Sequence, residues 1–181
     1  HKNDTKSMEA IAYDICVIEQ QACSSPQCLY LETNDNEELN QFAENFSKVL
    51  DKVSKTFPQK APSVQESAEI SGITQVAKTS EALGENKVIE DTEHIWRIIV
   101  DYKSSLRPSP LYRTIWVKPL PKNKIVSVLE PFRTYLQTVG LACSRNELYD
   151  FSSQLINAGV TRIMPVGKML DAYDGQPHDG V

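Results

Sequence analysis

The sequence predicts an α/β domain in three layers, a mixed or largely parallel sheet flanked by helices. Three observations predict it. Helical and strand-like segments interleave after residue 28. Long segments carry apolar residues at a 3.6-residue period. Short β-branched or aromatic runs, bounded by Pro, Ser or Gly, read as strands.

The first helix is marked by Met8, Ile11, Ala12, Ile15 and Cys16, with Asp4 and Thr5 as caps, and is expected to run to Gln20 or Gln21. Ala22 to Gln27 is small-residue and Pro-containing, a turn. Cys28 to Glu32 reads as a buried strand. Asn34 or Asp35 then caps a helix whose stripe is Leu39, Phe42, Ala43, Phe46, Val49, Leu50, Val53 and Phe57, ended by Pro58. Ser63 to Leu83 is a further helix, weakened by Gly72, and residues 84–86 punctuate. Ile95 to Val100 and Tyr112 to Val117 are strands separated by a Pro/Ser turn. One or two helical turns follow around Ile125 to Leu129, then a strand from Thr134 to Leu141. A helix capped at Ser144 ends at Gly159, where a C′ glycine belongs, and Val160 to Val166 is the last strand. Residues 167–181 read as loop. No repeat, low-complexity tract or linker interrupts residues 1–181, which read as one domain.

At 181 residues the chain is long enough to bury a core without metal or disulfide staples. Its 40% hydrophobic and 24% charged residues argue against wholesale disorder. A net charge of −5 and the absence of any Lys/Arg-rich run argue against nucleic acid as a partner. No stretch approaches a membrane span, and the mean hydropathy is −0.37. The chain opens at His1 with neither Met nor signal peptide, so it reads as an excised piece. Cys16, Cys23, Cys28 and Cys143 form no CxxC, and the histidines are His1, His94 and His178, which argues against zinc. Four reduced thiols in a cytoplasmic protein are expected.

Among these thiols, Cys23 stands out. It lies in a tight turn between a helix and a strand, where free backbone N–H groups lower a thiol's pKa or hold a developing oxyanion. A buried structural thiol is the alternative. Cys16 falls on the apolar stripe and Cys28 inside a strand, both core positions, and Cys143 precedes a helix. A histidine base for Cys23 has two candidates, His94 with Asp91 or Glu93 beside it, and His178 in a terminal His-Asp-Gly loop. Either histidine is alternatively a solvated surface residue. Glu19 and Glu130 have no paired spacing that marks an acid/base couple. Arg97, Lys103, Arg107 and Arg113, interleaved with Trp96, Tyr102 and Tyr112, form a basic group that reads as an anion contact or a solvated strand face. The seven glycines form neither GxGxxG nor GxxxxGK.

The run from Tyr13 to Gln27, with its core Glu19-Gln20-Gln21-Ala22-Cys23-Ser24-Ser25-Pro26-Gln27, resembles the nucleophile segment of the LuxC-like long-chain fatty acyl-CoA reductases of bacterial bioluminescence. The segment from Gly159 to Gly167, followed by His178-Asp179-Gly180, resembles that family's last catalytic-domain strand and the His-Asp-Gly after it. Together they bracket nearly the whole chain, with a loosely matched middle. The family belongs to the aldehyde dehydrogenase superfamily, whose nucleophile motif is Gly-Gln-x-Cys; Gln21 and Cys23 match it, while Gln20 stands in place of the glycine.

The resemblance implies an aldehyde dehydrogenase-like catalytic domain in which Cys23 accepts a fatty acyl group as a thioester and NADPH reduces it to the aldehyde. It implies the Cys23 N–H as oxyanion donor, with the superfamily's asparagine donor, glutamate base and Rossmann-type NADPH-binding domain outside this chain. His178 is carried over as a further site residue. The implied partners are long-chain acyl-CoA or acyl-protein, acyl-protein synthetase and acyl-transferase subunits, and further copies in a homo-oligomer. The domain alone is not expected to turn over. Two other classes remain open: a cysteine acyltransferase or thioesterase using Cys23 and a histidine, and a non-catalytic α/β interaction domain.

Overall fold

The computed structural model describes residues 4–175. Helix α1 (Thr5–Cys16) is capped by Asp4, whose carboxylate accepts the Ser7 N–H. It stops with its apolar stripe at Cys16, short of the expected Gln20 or Gln21, and Glu19 and Gln20 turn left-handed at φ of 55° and 61°. Strand β1 (Cys28–Leu31) follows the turn. Helix α2 (Asn36–Ser54), capped by Asp35, buries Leu39, Phe42, Ala43, Phe46 and Leu50. Helix α3 (Val64–Ala82) opens with a capping box between Ser63 and Glu66.

Strand β2 (Asn86–Glu90) was not expected and begins at the last residue of the expected punctuation. Its two apolar residues give no clear alternation, and as an edge strand it draws its register from β3 (Arg97–Asp101), with which it pairs antiparallel. Strand β3 starts two residues late because Asp91 Oδ1 takes the N–H groups of Ile95 and Trp96 at 2.6 and 3.1 Å. Strand β4 (Thr114–Pro119) likewise starts two residues late, since Leu111, Tyr112 and Arg113 all have positive φ, and runs two residues further, to Pro119. The sheet order is β1-β4-β3-β2, with β4 parallel to both neighbours.

The two faces follow the strand alternation. Ile98, Val100, Ile115 and Val117 meet α1 and α2, whereas Ile99 and Trp116 meet Ala77 and Ile73 of α3. That completes three layers. After a short helix α4 (Ile125–Leu129) and a 3-10 turn over Glu130–Tyr135, β5 (Thr138–Leu141) begins later than predicted. Helix α5 (Leu148–Ala158) ends at Gly159, whose φ of 109° requires a residue without a side chain. Strand β6 (Arg162–Pro165) pairs with β5 in a separate two-stranded parallel sheet over its own core of Leu120, Leu129, Phe151 and Leu155.

The C-terminal loop returns to α1. Buried Asp14 accepts the Gly167 N–H at 2.6 Å and the Met169 N–H at 3.4 Å. A side chain on Gly167 would meet Ala10 at 2.8 Å.

Candidate active site

The Ala22–Ser25 segment forms a closed turn. The Ser25 N–H donates to the Ala22 carbonyl at 2.9 Å, and the Ala22 N–H donates back to Ser25 Oγ at 3.3 Å. Small residues permit this bend, and Pro26 keeps Ser25 out of the helical region. Cys23 occupies the exposed corner. Among the described residues, the N–H groups of Cys23 and Ser24 donate to no acceptor, so one corner presents a thiol and two available amides.

The other three thiols are different. Burial pushes Cys16 up to about 12, against the opposing pull of the Arg113 charge. Burial pushes Cys28 up to about 12 as well, against Lys118. Cys143 is also raised by burial. Each is therefore held as a neutral thiol, and only Cys23 stands exposed.

The turn is fastened below by residues whose role the sequence did not reveal. Gln20, 1% exposed, donates from Nε2 to the Pro26 carbonyl at 2.7 Å and to the Thr114 carbonyl at 3.3 Å. The Glu19 carbonyl accepts the Tyr112 N–H at 3.2 Å and Gln21 Nε2, also at 3.2 Å. Glu19 Oε1 pairs with Arg113 Nη2 at 2.5 Å, and Arg113 is fully buried, donating also to the carbonyls of Ser54 and Pro58. The left-handed pair Glu19-Gln20 thus packs against the left-handed triplet Leu111-Tyr112-Arg113. No local pattern announces either, because neither contains glycine.

Several of the candidate residues are engaged with other groups. His94 Nδ1 sits 3.3 Å from Glu90 Oε2, a carboxylate the sequence gave no reason to select. Asp91 is spent on the backbone N–H groups of Glu93, Ile95 and Trp96, so it orients no histidine. Glu19, read as an unpaired carboxylate, is an ion-pair partner. The basic group does not converge on one surface: Arg113 is buried, Arg97 lies 3.6 Å from Glu90, and Arg107 covers the Trp116 ring at 5.1 Å. Trp96 is buried and donates to Asp51, and the Tyr102 hydroxyl donates to Asn40. Gln21 is exposed beside the turn. His178 lies outside the described residues.

A cavity of about 360 Å³ is lined by Glu19, Lys60, Ile70, His94, Arg97 and Tyr112 among others. Cys23 does not line it. Among the described residues there is no group of His, Cys, Asp or Glu that would hold a metal ion, and no helix long and apolar enough to cross a membrane.

Comparison with known proteins places this geometry in context. The family model for acyl-CoA reductase (LuxC) matches residues 2–181. A long-chain acyl-protein thioester reductase of Aliivibrio fischeri is 31% identical over 172 residues, covering 94% of this chain and 34% of the relative. The chain therefore spans about a third of the length of that relative. Among solved structures, a bifunctional proline utilization A protein superposes at a TM-score of 0.63 with 14% identity, over 93% of this chain and 18% of its own. An NAD-dependent aldehyde dehydrogenase from Burkholderia multivorans superposes at 0.57 with 12% identity, over 98% and 36% respectively. At these identities the likeness is one of fold.

Proposed function

The chain belongs to the acyl-CoA reductase (LuxC) family, and from that premise we propose that it is the acyl-accepting domain of an NADPH-dependent long-chain fatty acyl reductase, with Cys23 as nucleophile. The observation that carries this reading is the corner of the Ala22–Ser25 turn, where the one exposed cysteine shares a bend with two N–H groups that donate to no acceptor among the described residues.

In the proposed step the Cys23 thiolate attacks the carbonyl of an acyl thioester. The Cys23–acyl C–S bond forms, the bond to the donor sulfur breaks, and the donor leaves as a thiol once it takes a proton. The N–H groups of Cys23 and Ser24 are positioned to receive the oxygen charge that develops between. Covalent capture suits a reductase because a thioester is electrophilic enough for hydride attack, whereas a carboxylate is not.

A nicotinamide cofactor, when bound, supplies that hydride. The cavity lined by Glu19, Lys60, Arg97 and Tyr112 does not fit its reactive end, because Cys23, whose thioester the hydride must reach, does not line it. No glycine-rich loop in the sequence fits its pyrophosphate, so that part falls to residues outside this chain.

Incubation with palmitoyl-CoA, a long-chain acyl thioester, is expected to add one acyl mass to Cys23, read by intact mass and peptide mapping. Cys23→Ser is expected to abolish the hydroxylamine-labile label. Labelling that survives in Cys23→Ser moves the nucleophile elsewhere, and rapid release of free acid in place of a stable adduct makes the protein a thioesterase.

A further inference from the structure

We propose that Gln20 is the positioning residue of the nucleophile turn, its buried carboxamide tying together the chain on both sides of Cys23 so that thiol and free amides meet one carbonyl in fixed geometry. The inference rests on Cys23 being the acyl acceptor.

Gln20 lies three residues before the thiol and Pro26 three residues after it, so the 2.7 Å bond from Gln20 Nε2 to the Pro26 carbonyl closes a loop with Cys23 at its centre. The second proton of the same nitrogen reaches the Thr114 carbonyl, the first residue of β4, every residue of which is buried. One side-chain nitrogen therefore spans the loop and ties it to an interior strand that is buried throughout. The orientation of the amide follows from its surroundings. Both neighbours are carbonyl oxygens, which only the NH₂ end can satisfy, and Oε1 is left buried with no partner among the described residues.

Two unfavourable features accompany this arrangement. The backbone of Gln20 is left-handed, at φ of 61°, in a position where the superfamily motif has glycine, and a buried acceptor goes unmet. Glycine there would relieve both. Strain and an unsatisfied polar atom gathered on one residue beside a reactive turn point to a role in that turn. Loss of the carboxamide would let the turn widen without unfolding the domain, since Ser25 still closes it through its own bonds to Ala22.

The test compares two reactions of the same sulfur. Acyl transfer from palmitoyl-CoA needs the turn's amides aimed at an oxyanion, whereas alkylation by iodoacetamide is displacement at saturated carbon and needs only an accessible thiolate. Gln20→Gly removes the carboxamide while accepting the backbone conformation, and Gln20→Met, of similar length without donors, serves if the glycine variant fails to fold. Each is assayed where circular dichroism shows it folded. The expected result is an acylation rate of Cys23 lowered about 10- to 100-fold, with alkylation within about threefold of wild type. Rates that are both unchanged, or that fall in parallel, overturn the role of Gln20. A wild-type chain that takes no acyl group, or labelling that survives Cys23→Ser, overturns the reading of Cys23 and this inference with it.

Discussion

Replacing Glu19 by Gln isolates the electrostatics beneath the nucleophile turn. The shape is nearly unchanged and an acceptor oxygen remains, but the negative charge facing Arg113 is gone. Arg113 has no exposed surface, and its remaining acceptors are the carbonyls of Ser54 at 2.9 Å and Pro58 at 3.0 Å, with Nε unpartnered among the described residues. Breaking one side of a buried ion pair costs about 3–5 kcal/mol because it strands the other charge. The two carbonyls and the amide oxygen soften that, so about 3 kcal/mol is expected, or roughly 6–12 °C in Tm for a domain of this size. Urea unfolding followed by circular dichroism reads it as a lower midpoint at unchanged slope. The double variant Glu19→Gln/Arg113→Met removes the stranded cation and is expected to recover at least about 1 kcal/mol relative to Glu19→Gln. A single variant that loses less than about 1 kcal/mol, or a double variant less stable than the single, refutes the reasoning.

Burial pushes the Asp14 carboxyl up to about 6, against the Gly167 and Met169 N–H groups that pull it down. The folded state thus binds this proton more tightly than the unfolded chain, and the contribution to stability is present below about pH 4 and lost as pH rises through about 6, by up to about 3 kcal/mol. Asp14→Asn is expected to flatten that part of the profile, so that its stability relative to wild type rises between pH 4 and pH 7 in urea titrations; a constant difference counts against the shift. Phe46 of α2 is fully buried and stacks with Phe42 at a centroid distance of 6.0 Å, and Phe46→Ala is expected to cost about 3–5 kcal/mol by calorimetry. A loss below about 1.5 kcal/mol would mean the site collapses around the smaller side chain.

What the sequence made legible was whatever is encoded locally. The α2 stripe, the Asp35 cap and the Gly159 stop each depend on neighbours within a few residues, and each stands where it was expected, whereas the last helix takes Glu147 and not Ser144 as its N-cap. The Ala22–Ser25 bend was legible for the same reason, and with it the exposure of Cys23. Elements set by distant partners were not. β2 owes its existence to pairing with β3, and β5 and β6 form a separate sheet because their apolar faces pack on α4 and α5. His94 was matched to nearby Asp91 and Glu93 in sequence, but Asp91 closes a turn through its own backbone bonds, leaving Glu90 to face the imidazole.

The same distinction applies inside the site. The thiol and its amides belong to a turn that short-range chemistry can form, yet both fastenings beneath it, Gln20 to Thr114 and Glu19 to Arg113, join residues 94 apart in sequence. Neither bond exists until β4 has docked beside β1, and each demands left-handed backbone at residues that are not glycine. Such a conformation persists only where the surroundings over-determine it. Here a fully buried guanidinium and a nearly buried carboxamide do so together, since moving either left-handed stretch would break hydrogen bonds on the other. The reactive corner is consequently only as rigid as the sheet is complete, which makes its geometry a property of the folded domain more than of the Gln-x-Cys motif.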